Sequence, residues 1–459
     1  MDVFWKDLST KEAFLKQSSK FNLDLTPRVL LGADALVETL IQSGVGRYFD
    51  CTSIESTFVV SDQQLFQVPC SKTDIFKTKL LDMKEKRLLM KFLQYVADYG
   101  EQHIDGQNPH TTNERDLAVG RSLKRPQNKS VTSAQIRGED LEQSFSNFLL
   151  NQFQLSVKLQ KVILYAIALQ GTTELTTKQG LGAVYTYVSS IGRFAQTAYL
   201  VPLCGISELG QAFCRLSAVY QGTFILRAPT DGLKLHINDE GDVCDGMAQG
   251  KNVLKSKWVV SEPEYFPTYC AKDLTKPSVL RRICLVTKSM HADMDRMLVV
   301  IPPDTVENSA PIHVLQLDFK TQVCPEGTFL WHMTTLGTDR RVLDQALTLL
   351  LRENEQLWGV TYDQPYFTTT SDNLPPNVLL VDVNGSPQVS LQLEQERNEA
   401  QRLFEKICPS QIFLPKSQSA VDAESQEQKE EEQQASILTS AQEAITAHKI
   451  QTAVDPESI

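Results

Sequence analysis

One stretch of this chain constrains the fold more than any other, because it predicts several changes of conformation in quick succession. Residues 201–223 read VPLCGISELGQAFCRLSAVYQGT. An apolar run ends at Gly205, and from Glu208 onward apolar residues recur at spacings of three and four, which is typical of an amphipathic helix. Gly222 ends that helix, and residues 223–226 are expected to form a strand. The stretch therefore predicts strand, turn, helix and strand.

Two charged residues of the predicted helix fall on one face. Glu208 and Arg215 are seven positions apart, so they lie one above the other along the helix axis. A carboxylate beside a guanidinium on an exposed face is suited to binding another protein. An ordinary solvated helix face explains the same spacing, and the spacing leaves both interpretations open.

The stretch resembles the signature block of the Rab GDP-dissociation inhibitor and Rab escort protein superfamily, PLYGxGELPQxFxRxxAxxGG. The upstream segment NLDLTPRVLLGADALVETLIQSGVGRYFD is similar to the family's NxDLxPKxLxxxxxLVxxLxxxxVxRYxxF. Downstream, LPPNVLLVDV and AQRLFEKICPSQIFLP resemble the C-terminal part of Rab escort proteins. In the signature block the chain departs from the pattern at Cys204 for tyrosine, Ser207 for glycine, Gly210 for proline and Gln221 for glycine.

Bulk properties exclude several classes of protein. The chain has 459 residues, enough for two or three domains, and a net charge of −11, which argues against wholesale nucleic-acid binding. Its nine cysteines form no CxxC pair, which fits a reduced cytosolic protein. No apolar run is long enough to span a membrane. The N-terminus lacks the apolar core of a signal peptide, and the C-terminus DPESI is no prenylation box.

The resemblance implies an α/β fold with two domains. A discontinuous FAD/NAD-binding-like sheet domain, incomplete at its N-terminus, would comprise residues 1–70 and 199–415. An all-α helical domain would comprise residues 71–198. Within it, the polar, proline-punctuated residues 101–139 are expected to form a disordered insertion. The acidic, low-complexity residues 416–459 are expected to form a disordered tail.

Hydrophobic periodicity places the main elements. Residues 1–25 predict a helix followed by an extended entry, and Thr26-Pro27 is a favourable start for the next helix. Residues 72–99 predict one long helix. Two strands, 48–60 and 65–68, would be joined by a polar turn. Further helices are expected at 140–153, 156–169, 177–193, 340–351 and 391–407, and further strands at 253–260, 279–286, 297–301, 313–317, 328–333, 357–362 and 377–383.

The glycine-rich loop of the superfamily's first strand has no counterpart in this chain. That loop lets the backbone approach a dinucleotide closely. Gly180-Leu181-Gly182 lies inside a predicted helix and so lacks the required context. The chain is therefore expected to begin after the family's first βαβ unit, as an incomplete gene model, a splice form or a diverged paralogue, and to hold no flavin or other cofactor.

No residue constellation supports catalysis. There is no Walker A loop, GxSxG elbow or HExxH motif, and the seven histidines show no metal-ligand spacing. His332 is expected to be a satisfied core histidine. Asp293 and Asp295 are expected to lie in a polar turn. We therefore predict a non-catalytic protein without a metal site; a flavin-dependent amine oxidase-like enzyme is the alternative from another class.

The resemblance implies that Phe76, together with Arg87, distinguishes an escort protein, because only Phe76 differs between the two branches of the superfamily. Dissociation inhibitors share the EKR segment that ends at Arg87 but lack the phenylalanine, whereas escort proteins have both and dock the transferase's α subunit with them. On one helix the two side chains would share a face, about 16 Å apart along the axis. A core position is the alternative interpretation of Phe76.

The resemblance thus implies a Rab escort protein-like accessory factor. It would bind GDP-bound Rab GTPases through Glu208, Arg215 and Phe224, present them to the Rab geranylgeranyltransferase α/β heterodimer for prenylation, and deliver them to membranes from the cytosol. The apolar residues 162–169 would suit holding the geranylgeranyl lipid, although core packing explains them equally well. A Rab GDP-dissociation inhibitor-like recycling factor and a fragment that no longer binds Rab are the alternatives.

Overall fold

A mixed β-sheet between a helical layer and a single helix forms the centre of the molecule. Strands from before and after the helical residues build this sheet together. The computed structural model describes residues 2–104, 141–169, 175–228, 233–272, 278–352, 355–369, 374–381, 391–418 and 421–422.

The central sheet has eight strands in the order β1-β16-β12-β15-β14-β13-β4-β5 among the described residues. All neighbouring pairs are antiparallel except β13 and β4, which run parallel, with Met297 opposite Ser56. The strands are β1 (Asp2–Trp5), β4 (Ser56–Ser61), β5 (Gln64–Gln67), β12 (Val279–Val286), β13 (Met297–Ile301), β14 (Ile312–Leu317), β15 (Phe329–Leu336) and β16 (Gln356–Gln364).

Alternate residues of the sheet belong to two separate hydrophobic cores, because successive side chains of a strand point to opposite faces. On one face Ile283, Leu298 and Leu315 pack against the helical layer. On the other face Cys284 and Val299 pack against the apolar side of α9 (Arg341–Leu351). Both sheet faces are therefore buried.

The helical layer brings its apolar faces onto the sheet. Its core includes Phe92, Phe145, Leu159 and Val184, all fully buried. The helices are α3 (Lys72–Lys77), α4 (Met83–His103), α5 (Phe145–Phe153), α6 (Val157–Lys161), which continues as a π-helix (Val162–Ile167), and α7 (Thr177–Ser190).

Smaller elements complete the described structure. A three-stranded antiparallel sheet, β2-β6-β3, lies beside α2 and α8, and α10 packs on α2. The remaining elements are α1 (Leu8–Lys16), β2 (Leu30–Leu31), α2 (Ala35–Ser43), β3 (Cys51–Ser53), β6 (Tyr199–Pro202), α8 (Ser207–Val219), β7 (Leu233–Ile237), β8 (Cys244–Gln249), β9 (Asn252–Lys255), β10 (Val259–Ser261), β11 (Cys270–Lys272), β17 (Phe367–Thr369), β18 (Val378–Leu380) and α10 (Glu394–Ile407).

The predicted α/β fold class is confirmed, but two predictions near the N-terminus are wrong. Residues 1–25 begin as strand β1, paired with β16, before α1 starts. The helix expected at Thr26-Pro27 begins instead at Ala35, where the carboxylate of Asp34 accepts the Leu36 N–H. Residues 30–31 are a strand because they pair with β6.

Two further element predictions are wrong, and two predicted segments lie largely outside the described residues. The single helix expected over residues 72–99 is two helices, α3 and α4. Residues 223–226 form no strand. The predicted insertion at 101–139 begins inside α4, and its remainder from residue 105 lies outside the described residues, as does nearly all of the tail from 416. The domain boundaries stay a prediction.

Candidate functional site

Helix α8 brings Glu208 and Arg215 together on one face, as their spacing predicts. Arg215 Nη2 lies 3.9 Å from Glu208 Oε2, and Arg215 Nη1 donates to the Tyr48 carbonyl at 2.9 Å. Gln211 donates to the other Glu208 oxygen at 2.9 Å. The Arg215 side chain is 53% exposed and that of Glu208 22%. We call this charged pair the α8 face.

The last residue of α8 and the chain beyond it expose a run of apolar side chains. Phe224, a predicted Rab-binding residue, is 46% exposed and lies in irregular backbone rather than in the expected strand. Among the described residues no strand pairs with this segment, so its β-prone sequence forms no ladder. The exposed apolar side chains are Val219, Tyr220, Phe224, Ile225 and Leu226.

The start of α8 is held by Asp24, a residue that was not among the predicted site residues. Both carboxylate oxygens of Asp24 lie 3.0 Å from the backbone nitrogen of Ile206, which donates to them. Burial raises the pKa of Asp24 to about 6, while the hydrogen bond from Ile206 acts in the opposite direction. The only available signal was the position of Asp24 within the segment that resembles the family pattern.

A loop from the central sheet also supports this turn. The Cys204 N–H donates to the Thr321 carbonyl at 2.9 Å, and its thiol lies 3.1 Å from Gln322 Oε1. Asn22 donates to the Gln322 carbonyl at 2.7 Å. Three segments far apart in sequence thus meet where α8 begins.

Phe76 and Arg87 lie on two consecutive helices, not on one as predicted. Phe76, on α3, is 54% exposed, and Arg87, in the second turn of α4, is exposed too. Buried Lys86 donates to the Phe76 carbonyl at 2.8 Å and so joins the two helices. Met83 is also exposed. We call Phe76, Met83 and Arg87 the α3–α4 surface.

The break between α3 and α4 has a local cause. Leu80 and Leu81 are both buried, so the chain turns inward after α3. Asp82 and Glu85 then form a capping box, in which each side chain accepts the other's backbone N–H. The core interpretation of Phe76 is excluded, because the adjacent Ile75 fills the buried position instead.

The buried histidines lie between the sheet and the helical layer. His332 is in the core as predicted, but neither ring nitrogen has a hydrogen-bond partner among the described residues. Burial, together with the nearby Arg281 guanidinium, lowers the pKa of His332 to about 4. Burial also lowers the pKa of His313 to about 4. Both rings are therefore neutral at pH 7.

Other candidate chemistry is accounted for by structure. Gly180 lies inside α7 as predicted, and a Cβ there would fall 2.2 Å from the Phe145 ring, so the glycine serves close packing. Asp295 pairs with Lys320 at 2.8 Å beside a tight turn at residues 291–294. Among the described residues, no three His, Cys, Asp or Glu side chains are grouped to hold a metal ion. No described helix is long and apolar enough to cross a membrane.

Comparison with known proteins decides the family. The family model described as GDP dissociation inhibitor matches residues 2–120 and 127–416. The chain belongs to the GDP dissociation inhibitor family. Within this family, the mouse protein "Rab proteins geranylgeranyltransferase component A 2" is 28% identical over 88% of this chain and 63% of its own length. The chain thus spans less than two thirds of that relative.

Two further matches bear on family membership and on the fold. The Arabidopsis thaliana protein "Rab escort protein 1" is 28% identical over 91% of this chain and 79% of its own length. The crystal structure of a Rab GDI from Plasmodium falciparum superposes with a TM-score of 0.66 at 17% identity, covering 86% of this chain and 84% of that one. The GDP dissociation inhibitor fold therefore accounts for most of this chain.

Proposed function

We propose that this chain is a Rab escort-type accessory factor. It binds GDP-bound Rab GTPases, presents them to Rab geranylgeranyltransferase for C-terminal prenylation and delivers the product to membranes. In this role the chain is a non-catalytic, substrate-presenting component. It works from the cytosol and contacts membranes transiently. The names of the mouse and Arabidopsis relatives support this function.

The observation that carries the proposal is the exposure of Phe76. The Phe76 ring is 54% exposed on a folded helix, so its burial within its own chain stabilises the fold little. Such a ring can instead fill a pocket of a partner. Arg87 is exposed and makes no ion pair among the described residues. A free guanidinium near an aromatic anchor suits an interface with a carboxylate, here on the transferase's α subunit.

The α8 face is the proposed contact for Rab. Glu208 and Arg215 present opposite charges within 3.9 Å of each other, so a partner can satisfy both at once. Phe224 and its exposed apolar neighbours would extend this contact. A charged rim beside apolar residues is the usual composition of a protein interface.

We also propose the helical layer as the place that holds the geranylgeranyl lipid. The π-helix (Val162–Ile167) lies fully buried against β4 and β13. π-helical turns within α-helices occur frequently at functional sites. Parting of the helices at this segment would expose an apolar surface for a prenyl chain.

The deciding experiment titrates the full chain with the transferase heterodimer. Phe76→Ala is expected to weaken the complex at least tenfold, about 1.4 kcal/mol, because an aromatic anchor is lost. Calorimetry gives the dissociation constant, and circular dichroism checks the fold. Phe194→Ala is the matched control, because Phe194 is equally exposed, at 53%, but lies outside the α3–α4 surface.

The outcome separates the escort function from the recycling function. A chain that binds Rab but not the transferase would be a recycling factor, whereas equal transferase affinity for wild type and Phe76→Ala would remove Phe76 from the proposed interface. A second titration, with GDP-loaded Rab, tests the α8 face. There Glu208→Ala and Arg215→Ala are expected to cost about 2–5 kcal/mol each if the partner charge stays buried. Arg341→Ala, which removes an arginine paired with Asp339, is the control.

A further inference from the structure

We propose that Asp24 is a positioning residue, whose carboxylate fixes the first turn of α8 and thereby aims Glu208 at the partner. The inference rests on the proposed function, because it assigns a purpose to a contact that supports the proposed Rab-binding helix.

Among the described residues, helix α8 has no side-chain cap from the residue before it. The residue before it, Ile206, offers no side-chain oxygen, and no side chain of the preceding turn accepts its first N–H groups. The carboxylate that accepts the Ile206 N–H comes from 182 positions earlier in the chain. Several other helices are capped by the residue immediately before them, namely by Asp7, Asp34, Ser71, Asp82, Ser156 and Thr176.

The turn is shaped to receive this carboxylate. Gly205 has φ +94°, a conformation that side chains disfavour, and an added Cβ would lie 2.7 Å from Asp24 Oδ1. Cys204, just before it, also has a positive φ of 64°. Glycine therefore gives Asp24 the space to approach the backbone of the turn, and the approach is built into the local conformation.

The first turn of α8 depends on Gly205 and Ile206, the residues that Asp24 holds in place. The Glu208 N–H donates to the Gly205 carbonyl at 3.2 Å, and the Leu209 N–H donates to the Ile206 carbonyl at 3.1 Å. Glu208 follows Ile206 by two positions, so its direction depends on this turn. At the other end of the α8 face, Arg215 is tied to the Tyr48 carbonyl. A loosened start would separate the two charges.

A carboxylate at a helix N-terminus also interacts favourably with the helix dipole. This interaction and the hydrogen bond from Ile206 act against the burial that raises the pKa of Asp24. Tyr362 lies close enough for the Asp24 charge to influence its phenol, and it donates to the neighbouring Leu25 carbonyl at 2.6 Å. The segment that carries Asp24 is thus anchored to β16 as well as to α8.

The test uses the full chain with Asp24→Ala and Asp24→Asn. Hydrogen–deuterium exchange of amides 206–213 reports the turn directly, and titration with a GDP-loaded Rab GTPase reports the binding face. Asp24→Ala is expected to speed local exchange at least tenfold and to weaken Rab binding about tenfold. Asp24→Asn keeps an acceptor oxygen and is expected to restore most of both. Thr176→Ala, which uncaps α7, should leave both readouts of α8 unchanged.

The outcomes are distinct. Unchanged exchange at α8 in Asp24→Ala, or a rise spread evenly over the whole chain, would overturn the proposal. Faster exchange at α8 with unchanged Rab affinity would overturn the positioning role. If the wild-type chain binds no Rab, the proposed function fails and the positioning role with it, whereas exchange still decides whether Asp24 holds the turn.

Discussion

The α8 face and the α3–α4 surface are both exposed, but they are held in place by contacts of different range. Asp24 and Tyr48, which fix the two ends of the α8 face, are 182 and 167 positions away from their partners. The α3–α4 surface is fixed mostly by near contacts, a capping box within four residues and the Lys86–Phe76 contact across ten, with one longer contact in which the Ser156 hydroxyl donates to Glu85 across 71 positions. The first surface therefore depends on the whole fold, and the second mainly on its own segment.

Gly205→Ala is expected to have the largest effect on the free energy of unfolding, because it disrupts the long-range contact between Asp24 and the turn that begins α8. The substitution places a side chain at positive φ and pushes a Cβ against Asp24, for a combined loss of roughly 3 kcal/mol. Urea unfolding measures it. Gly210→Ala, inside α8 with open space around it, should instead be neutral or stabilising by up to about 1 kcal/mol. A similar loss for both variants would refute the argument from Asp24.

The pH dependence of stability reports on the buried histidine in the core. The pKa of His332 is about 4 in the folded chain, below its ordinary 6.5, so its contribution is present above pH 6.5 and lost as pH falls toward 4. Between pH 7 and pH 5 this amounts to about 2 kcal/mol. Urea unfolding of His332→Leu should show a smaller fall in stability over this range than wild type.

Protonation of Asp24 has the opposite effect on stability from protonation of His332. Its folded pKa of about 6 lies above the ordinary 3.8, so its contribution is fully present below 3.8 and lost as pH rises through 6. Asp24 therefore opposes the histidines between pH 7 and pH 5. Asp24→Asn removes this opposition and should deepen the acid-induced loss of stability by about 1 kcal/mol. If the acid-induced loss of stability is smaller in Asp24→Asn than in wild type, burial does not raise the pKa of Asp24.

Asp82→Ala is expected to have the smallest effect and to stay local. It removes the cap of α4 and costs about 1 kcal/mol. Because the α3–α4 surface is built from neighbouring residues, transferase affinity should fall slightly while exchange at α8 stays unchanged. Exchange measured along the whole chain checks both expectations. An equal rise at α8 would show that the two surfaces are coupled.

The same difference in range explains what could be predicted from the sequence. The pairing of Glu208 with Arg215 follows from helix periodicity alone, and the turn between β4 and β5 follows from its polar residues. The role of Asp24 does not, since no local pattern signals a contact with a turn far along the chain. The strand expected at 223–226 failed for a related reason: a strand needs a partner, and propensity cannot supply one.

Helix boundaries show the limit within local reasoning. Residues 72–99 carry a helical pattern throughout, yet Leu80 and Leu81 both turn into the core and Asp82 begins a new helix. Likewise Thr26-Pro27 has the residues of a helix start, but Leu30 and Leu31 pair with β6, so the next segment forms a strand. In both cases tertiary packing outweighs a local signal of modest energy.

The parallel pairing of β4 with β13 affects how the chain folds during synthesis. The β4–β5 hairpin can form once residue 67 has emerged, but β13 begins only at residue 297. At ordinary rates of translation, β4 waits roughly 10 to 50 seconds for its neighbour. During that time one side of an apolar strand offers unpaired N–H and C=O groups, a known template for aggregation. We therefore expect the nascent chain to need a holding chaperone until β13 arrives.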